Sequence, residues 1–326
     1  MIAAMDVLGN PSSVHSEGRG AKAVVERARA QVAEALGAGG ADLVFTSSAT
    51  EAAALAMAGR KLEGAAIEHE AVAAWANADL AVDPQGGVTV ETPERSVLQM
   101  ANSETGVIQA LPQGLAVSDM TQGFGKLAFG FDWSGAEMGL ISAHKLGGPK
   151  GVGALAVRRG LEVEARVRGG GQEMGRRSGT ENVIGIAGFG AAAEAAARDL
   201  AQGVWQGVAQ VRDAMEAAIA DAVAGVIFVG QGASRLPNTS CFALPGWKAE
   251  TQVMAMDLAG FAISAGSACS SGKVRASRVL GAMGLDAGVA TAAVRVSLGP
   301  ETTQGDVMRF VEAWVSQARK FQVRAA

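Results

Sequence analysis

Apolar residues recur every four positions at Val24, Ala28, Val32 and Leu36, between charged neighbours, and Gly37 follows. That period lays one apolar stripe along a helix, and the glycine supplies its stop. Residues 43–46, "LVFT", form a short continuous apolar run and read as a strand. The following "SSATEAAALAMAG" reads as a polar loop entering a helix near Thr50. Further runs at 96–101, 115–119, 138–142 and 153–157 are continuous rather than alternating, as expected of strands covered on both faces. Strands alternating with helices predict a mainly parallel, doubly covered sheet. An Ala-rich helical region spans 184–224. Beyond it the pattern restarts, with strands expected at 226–229, 239–243, 261–264 and 293–297 and helices at 250–258, 277–283 and 303–321. A domain boundary is expected inside the long helical region.

Composition narrows the partners. The chain has 326 residues, enough for two domains, and 28 Lys and Arg against 32 Asp and Glu, a net charge of −4. A general nucleic-acid or anionic-membrane surface would need a basic excess. No run approaches the length of a membrane helix. The start, "MIAAMDVLGNPSS", lacks a basic segment followed by an apolar stretch, so no signal peptide is expected. The two cysteines, Cys241 and Cys269, make no disulfide framework, which fits a reducing cytoplasm. Three scattered histidines without C-x-x-C or H-E-x-x-H spacing give metal binding no support.

Several positions carry possible chemistry. In "LISAHKLGGPKGVGAL" an apolar strand ends at Ser142, and His144 and Lys145 follow. A surface lysine is the ordinary reading. A lysine at the end of a covered strand, beside glycines that admit a ring, is also the arrangement for Schiff-base chemistry. Asp119 ends another apolar run, with Gln122 just after it. It reads either as a helix cap or as a ligand contact, since α/β sheets place such contacts at the C-terminal ends of strands. An amine and a carboxylate so placed point to pyridoxal 5'-phosphate, which needs both. Its phosphate would suit the helix start after "VFTSS", where free amides join the hydroxyls of Ser48 and Thr50. His69 is either structural or a ring-stacking, proton-moving group. The Gly-rich "RGGGQEMGRRSGTEN" is a surface loop or a phosphate-binding one. Arg295 lies in an apolar strand and needs an anion, either a structural partner or a substrate carboxylate. Cys241, in an alternating strand, reads as a small hydrophobe. Cys269, among Ser and Gly in "AISAGSACSSGK", reads as a nucleophile.

These stretches together resemble the cysteine desulfurases of the NifS/IscS type, in the class V aminotransferase branch of fold-type-I pyridoxal-phosphate enzymes. The matching segments are "GNPSSVHSEGRGAK", "VFTSSATEAA", "EHEAV", "SDMTQGFGK", "ISAHKLGGPKGVGALAVRR", "GGGQEMGRRSGTENV", "LPNTSCFALPG", "SAGSACSS" and "VRVSLGPETT", in family order. The resemblance implies an α/β fold. Its large cofactor domain, with a mainly parallel sheet of seven strands, would span 12–205. A smaller C-terminal α/β domain would span 206–326, joined by 1–11. It further implies Lys145 as the Schiff-base lysine, Asp119 as partner of the ring nitrogen, and Gln122 as contact of the phenolic oxygen. His69 would stack on the ring, and Ala49, Thr50, Ser142 and His144 would bind the phosphate. Thr180 would reach the phosphate of a second subunit, making a homodimer. Arg295 would grip the carboxylate of L-cysteine. Cys269, on a long mobile loop in the matching subgroup, would take sulfur as a persulfide. It would pass the sulfur to an acceptor such as an iron–sulfur assembly scaffold.

The chain also departs from the pattern. It opens almost at "GNPSS", without the "YLDNNATT"-type strand that usually begins the family. The stretch from 69 to 96 is short, and "GVIQALPQGLAVSD" lacks the usual helix before the aspartate. Where the family reads NNExG, this chain reads "ANSETG", so Ser103 replaces an asparagine that contacts ring and substrate. Asn102 does not simply stand in, because neighbouring residues of a strand face opposite sides. Two other readings therefore stand beside the first: a related lyase or aminotransferase, and a paralogue that binds a partner without turnover.

Overall fold

The computed structural model describes residues 1–266 and 276–325. Cys269 lies outside the described residues. The chain divides into two compact units, one of residues 1–80, 90–100 and 110–202, the other of residues 81–89, 101–109 and 203–326.

The first unit contains helices α1 (Ile2–Met5), α2 (Ser16–Leu36), α3 (Ala49–Met57), α4 (Glu70–Ala73) and α5 (Val183–Ala201). Its strands are β1 (Ala41–Thr46), β2 (Leu62–Ala65), β3 (Ala76–Leu80), β4 (Val97–Gln99), β5 (Val117–Asp119), β6 (Met138–Ser142) and β7 (Gly153–Arg158). Five strands pair in the order β1-β7-β6-β5-β4. β2 and β3 pair in parallel, and one parallel bridge, Glu63 to Ser96, carries them alongside β4. That single bridge sets the two-stranded sheet beside the five-stranded one, in the order β1-β7-β6-β5-β4-β2-β3. All run parallel except β7, which is antiparallel to both neighbours. The connection from Ser142 to Gly153 is too short for a helical crossover, so the chain doubles back.

Burial explains the rest of this unit. Val44, Leu140, Leu155 and Val157 of the sheet pack with Ala52, Ala53, Ala56 and Met57 of α3. Of the stripe predicted on α2, Ala28, Val32 and Leu36 are buried, while Val24 is half-buried and its neighbour Val25 takes the buried place; Gly37 ends the helix at φ 63°. Residues 1–11, expected beside the C-terminal part, group with the first unit. Met1 packs there over Gly188 of α5, where a Cβ would leave it no room.

The second unit begins where the long helical region breaks. Gly203 takes the left-handed φ of 76° and starts α6 (Val204–Ala222). Strands β8 (Ile227–Phe228), β9 (Thr239–Ala243), β10 (Ser264–Ala265) and β11 (Ala293–Ser297) form a sheet in the order β10-β11-β9-β8, antiparallel throughout. Helices α7 (Ala249–Leu258), α8 (Arg278–Ala282), α9 (Ala287–Ala292) and α10 (Gln304–Ala325) complete it. Trp314 of α10 is fully buried, edge-on to Phe242 and beside Trp247. Its indole N–H donates to Gln252 Oε1 at 3.0 Å, so this core satisfies its polar tip.

Candidate active site

In the first unit, strand register sets several of the candidate residues at the ends of neighbouring strands. Gly153 pairs with Thr46 on one side and with Ser142 on the other. A side chain at Gly153 would strike the Ser48 backbone at 2.6 Å and the Ile141 carbonyl at 2.7 Å. The glycine therefore lets the loop before α3 close onto the ends of β6 and β7. Ser48 caps α3, its hydroxyl accepting from Glu51 N at 3.3 Å. Among the described residues the amides of Ala49 and Thr50 have no acceptor, which leaves an anion cradle at the helix start.

Ser142, at the tip of β6, is buried, and its hydroxyl lies 2.9 Å from His144 Nδ1. Burial first, then the charges of Lys145 and Lys150, push the His144 ring below its usual pKa. Lys145 ends the short turn Ala143–Lys145 and is exposed, whereas the sequence reading set it against a covered strand. The turn carries it past the last sheet residue and out of the layer.

Asp119 ends β5 opposite Leu140, one strand over. Its Oδ1 accepts from Thr121 N at 3.0 Å, which turns the chain and leaves the second carboxylate oxygen for a ligand. Gln122 follows in that turn, half-buried. His69 follows β2 and caps α4, Nδ1 accepting from Ala71 N at 3.2 Å. Accepting there occupies the Nδ1 lone pair, so the ring proton sits on Nε2. The cap and the proton-carrying roles are therefore compatible in one ring.

Thr180 is exposed and helps line a cavity of about 260 Å³ with Thr46, Ser47, Glu173, Arg177 and Asn182. Two ion pairs shape that region. Arg29 meets Glu173 with both nitrogen–oxygen distances at 2.8 Å, and Phe45 N adds a third bond to the carboxylate at 2.8 Å. Arg177 Nε meets Glu51 Oε1 at 2.7 Å, while Glu51 Oε2 accepts from Ser47 N at 2.7 Å. Burial alone would raise Glu51, but Arg177 and Ser47 outweigh it and hold the carboxyl below its usual range.

The second unit supplies a different set. Arg295 projects from β11, donating to the Ser103 carbonyl at 2.8 Å and to Ser264 Oγ at 3.2 Å. Its Nε is buried without a partner, and no carboxylate forms an ion pair with it among the described residues. That leaves one guanidinium N–H unspent in a buried position, a donor still in need of an acceptor. Asn102 spends its side-chain oxygen on the amides of Glu104 and Thr105, both at 2.8 Å, and so shapes the turn. Glu104, unmarked by the sequence reading, is buried beside Gly266. Burial raises its carboxyl above the usual range, against the pull of the Ser277 hydroxyl, Arg295 and Arg278. Cys241 pairs with Arg295 across β9 and β11, and burial pushes its thiol well up, so it stays protonated.

The donor set of the first unit has the chemistry of a phosphorylated pyridine. A hydroxyl and free amides suit an anion, a carboxylate stands one strand from an amine, and a histidine caps the helix that follows β2. Lys126 was also missed. It is a buried amine in the turn after Asp119, and it bonds the Gln122 and Lys145 carbonyls at 3.1 Å and 2.9 Å. Its signal in the sequence is slight, a lone lysine behind two glycines.

Comparison with known proteins agrees with this chemistry. Aminotransferase class-V matches residues 3–310. "Cysteine desulfurase IscS 1" of Archaeoglobus fulgidus is 36% identical over 93% of this chain and 88% of that protein. A cysteine desulfurase of a Frankia species is 38% identical over 91% of this chain and 82% of its own length. The crystal structure of a NifS-like protein from Rickettsia africae superposes with a TM-score of 0.86 at 30% identity, covering 97% of this chain and 94% of that one. The chain therefore belongs to the class-V aminotransferases and, within them, to the pyridoxal-phosphate-dependent cysteine desulfurases.

Proposed function

We propose that the protein takes sulfur from L-cysteine, releases L-alanine and leaves a persulfide on Cys269 for an acceptor such as an iron–sulfur assembly scaffold. The observation that carries the substrate assignment is Arg295. Its Nε is buried without a partner, and its other nitrogens are held by Ser103 and Ser264, so the side chain is set to take a carboxylate. Pyridoxal phosphate, when bound, supplies an electron sink for the carbon that loses its proton.

Lys145 would hold that group and carry the Cα proton. Asp119 would keep a proton on the ring nitrogen, and Gln122 would bond the phenolic oxygen. Ala49, Thr50, Ser142 and His144 would bind the phosphate. His69, with its proton on Nε2, would serve the substrate thiol. The thiolate of Cys269 attacks the substrate sulfur, a sulfur–sulfur bond forms and the Cβ–sulfur bond breaks. The released electron pair takes a proton, so cysteine and a thiol become alanine and a persulfide. Thr180, exposed beside the Arg177–Glu51 pair, would reach the phosphate of a second copy in a homodimer. A reducing cytoplasm would keep Cys269 reduced between turnovers.

The test incubates the holoenzyme with L-cysteine and a reductant and measures alanine and sulfide together. Equal yields, both lost in Cys269→Ala, are expected. Ser103 motivates the rival reading, a lyase that does not use Cys269. Turnover unchanged in Cys269→Ala overturns the persulfide route in that rival's favour, and alanine without sulfide overturns desulfuration.

A further inference from the structure

We propose that Lys126 is a positioning residue. It ties the turn that carries Gln122 to the turn that carries Lys145 and so fixes the two relative to one another. The inference rests on the reading that Gln122 and Lys145 hold the cofactor.

Lys126 is 7% exposed, in the turn that follows β5. Its Nζ donates to the carbonyl of Gln122 at 3.1 Å and to the carbonyl of Lys145 at 2.9 Å. Those carbonyls belong to two separate connections, one leaving β5 and one leaving β6. The backbone of its turn is closed by Lys126 N donating to Gly123 O at 3.0 Å, so the side chain starts from a fixed base. Gly125 permits that base. It takes φ 76°, and a Cβ on it would meet Ala196 at 2.9 Å.

A lysine this deep is costly. No carboxylate pairs with it among the described residues. Burial first, then repulsion by Lys145, lower its pKa to about 8. A methionine would fill similar space without that cost, so nothing in packing alone calls for an amine here. What the amine adds is two N–H donors at the end of a long stem, aimed at two backbone carbonyls that strand pairing leaves open. An amine that has lost its charge still has two N–H groups, so the tie survives titration of Lys126. Lys145 is the charged group facing it from the neighbouring turn.

The consequence is a shared geometry. Strand pairing sets β5 against β6 at Asp119 and Leu140, and Met120 N extends it by donating to the Leu140 carbonyl at 3.0 Å. Beyond Met120 the chain leaves the sheet by two separate turns, and Lys126 adds a direct bond from the turn of Gln122 to the turn of Lys145. A displacement of about 1 Å between groups that grip one ligand costs about 100-fold in rate.

The test compares wild-type holoenzyme with Lys126→Met and Lys126→Gln. Two readouts are used, the visible circular dichroism per bound cofactor and hydrogen–deuterium exchange over 119–126 and 142–148. Methionine should cut the dichroism about two-fold and speed exchange in both segments together. Glutamine, which keeps two donors on a shorter stem, should recover part of both. Wild-type dichroism and exchange in Lys126→Met overturn the tie. If that variant does not fold, Lys126→Leu, which also lacks a donor, decides: wild-type values in both readouts overturn the tie, and a loss in both segments supports it. Lys145→Ala separates the two levels. Cofactor still fixed to the chain by borohydride in that variant overturns the reading of Lys145. Its loss there, with Lys126→Met indistinguishable from wild type, overturns the tie alone.

Discussion

Arg295 donates to Ser103 through the backbone carbonyl of Ser103, at 2.8 Å, and not through its hydroxyl. The side chain at position 103 is thus free to change without moving the guanidinium. Ser103→Asn restores the family's amide while keeping that bond. It should leave KM for L-cysteine within about two-fold and raise kcat, up to about 10-fold, because the added donors act on the reacting group. Steady-state kinetics check this; a large rise in KM would show that the amide disturbs Arg295.

Arg295→Lys keeps the charge but removes the planar fork. A point charge does not replace two parallel bonds, so kcat/KM for L-cysteine should fall about 100-fold, mostly through KM. Cysteamine, which lacks the carboxylate, should react poorly with both enzymes and equally so.

The two cysteines should separate cleanly. Cys241 is fully buried in β9, with its thiol pushed up, and so is not a nucleophile at neutral pH. Cys241→Ala should keep desulfurase turnover within about two-fold while costing about 1 kcal/mol of stability. Cys269→Ala should abolish turnover. Mass spectrometry of the protein after one turnover should find the extra sulfur on the peptide that contains Cys269.

Glu173 takes the left-handed φ of 48° and is buried, yet it receives three hydrogen bonds from Arg29 and Phe45. Removing one partner of a buried pair leaves the other charge uncompensated. Glu173→Ala should therefore lower stability by about 3 kcal/mol in urea unfolding. Arg29→Ala should do the same, and the double variant should cost less than the two singles added together.

Lys126 makes stability depend on pH. Its pKa falls from 10.5 when unfolded to about 8 when folded, so between those values the unfolded chain holds the extra proton. Stability contributed by this group therefore rises with pH across that window and is lost as pH falls through 8. Relative to Lys126→Met, wild type should gain about 2 kcal/mol between pH 7.5 and pH 10. The absence of tyrosine keeps the window clear of one common titrating group.

How much of this could be read from the sequence depends on what each residue faces. Residues 138–142, 239–243 and 293–297 coincide with β6, β9 and β11 because each is a short apolar run bounded by polar or glycine punctuation. β3 went unseen because "ANADL" is an edge strand with three of its five residues exposed, so it carries no apolar signature. β10 lies at Ser264–Ala265 rather than over 261–264, since two residues of pairing leave no pattern to count. The reversed direction of β7 was also illegible: burial on both faces looks alike in either direction. Among the candidate residues, Asp119, Ser142 and Lys145 stand out in the sequence as polar residues at the ends of apolar runs. Lys126 does not, because nothing local distinguishes a buried lysine from a solvated one. Arg29 and Glu173 meet across 144 positions, beyond the reach of any local pattern.

The second unit is not one continuous stretch of chain. Gly106 O accepts from Leu236 N at 2.8 Å, and Ile108 N donates to Ser234 O at 2.9 Å, so an early segment is knitted to a late one. On the ribosome, residues 81–89 and 101–109 emerge long before the strands that complete their pairing. Long-range closure of this kind slows folding and leaves polar edges waiting in the meantime. A gene fragment beginning at Gly203 would lack those early segments, leaving Ser234 and Leu236 without the backbone partners they have in the intact chain.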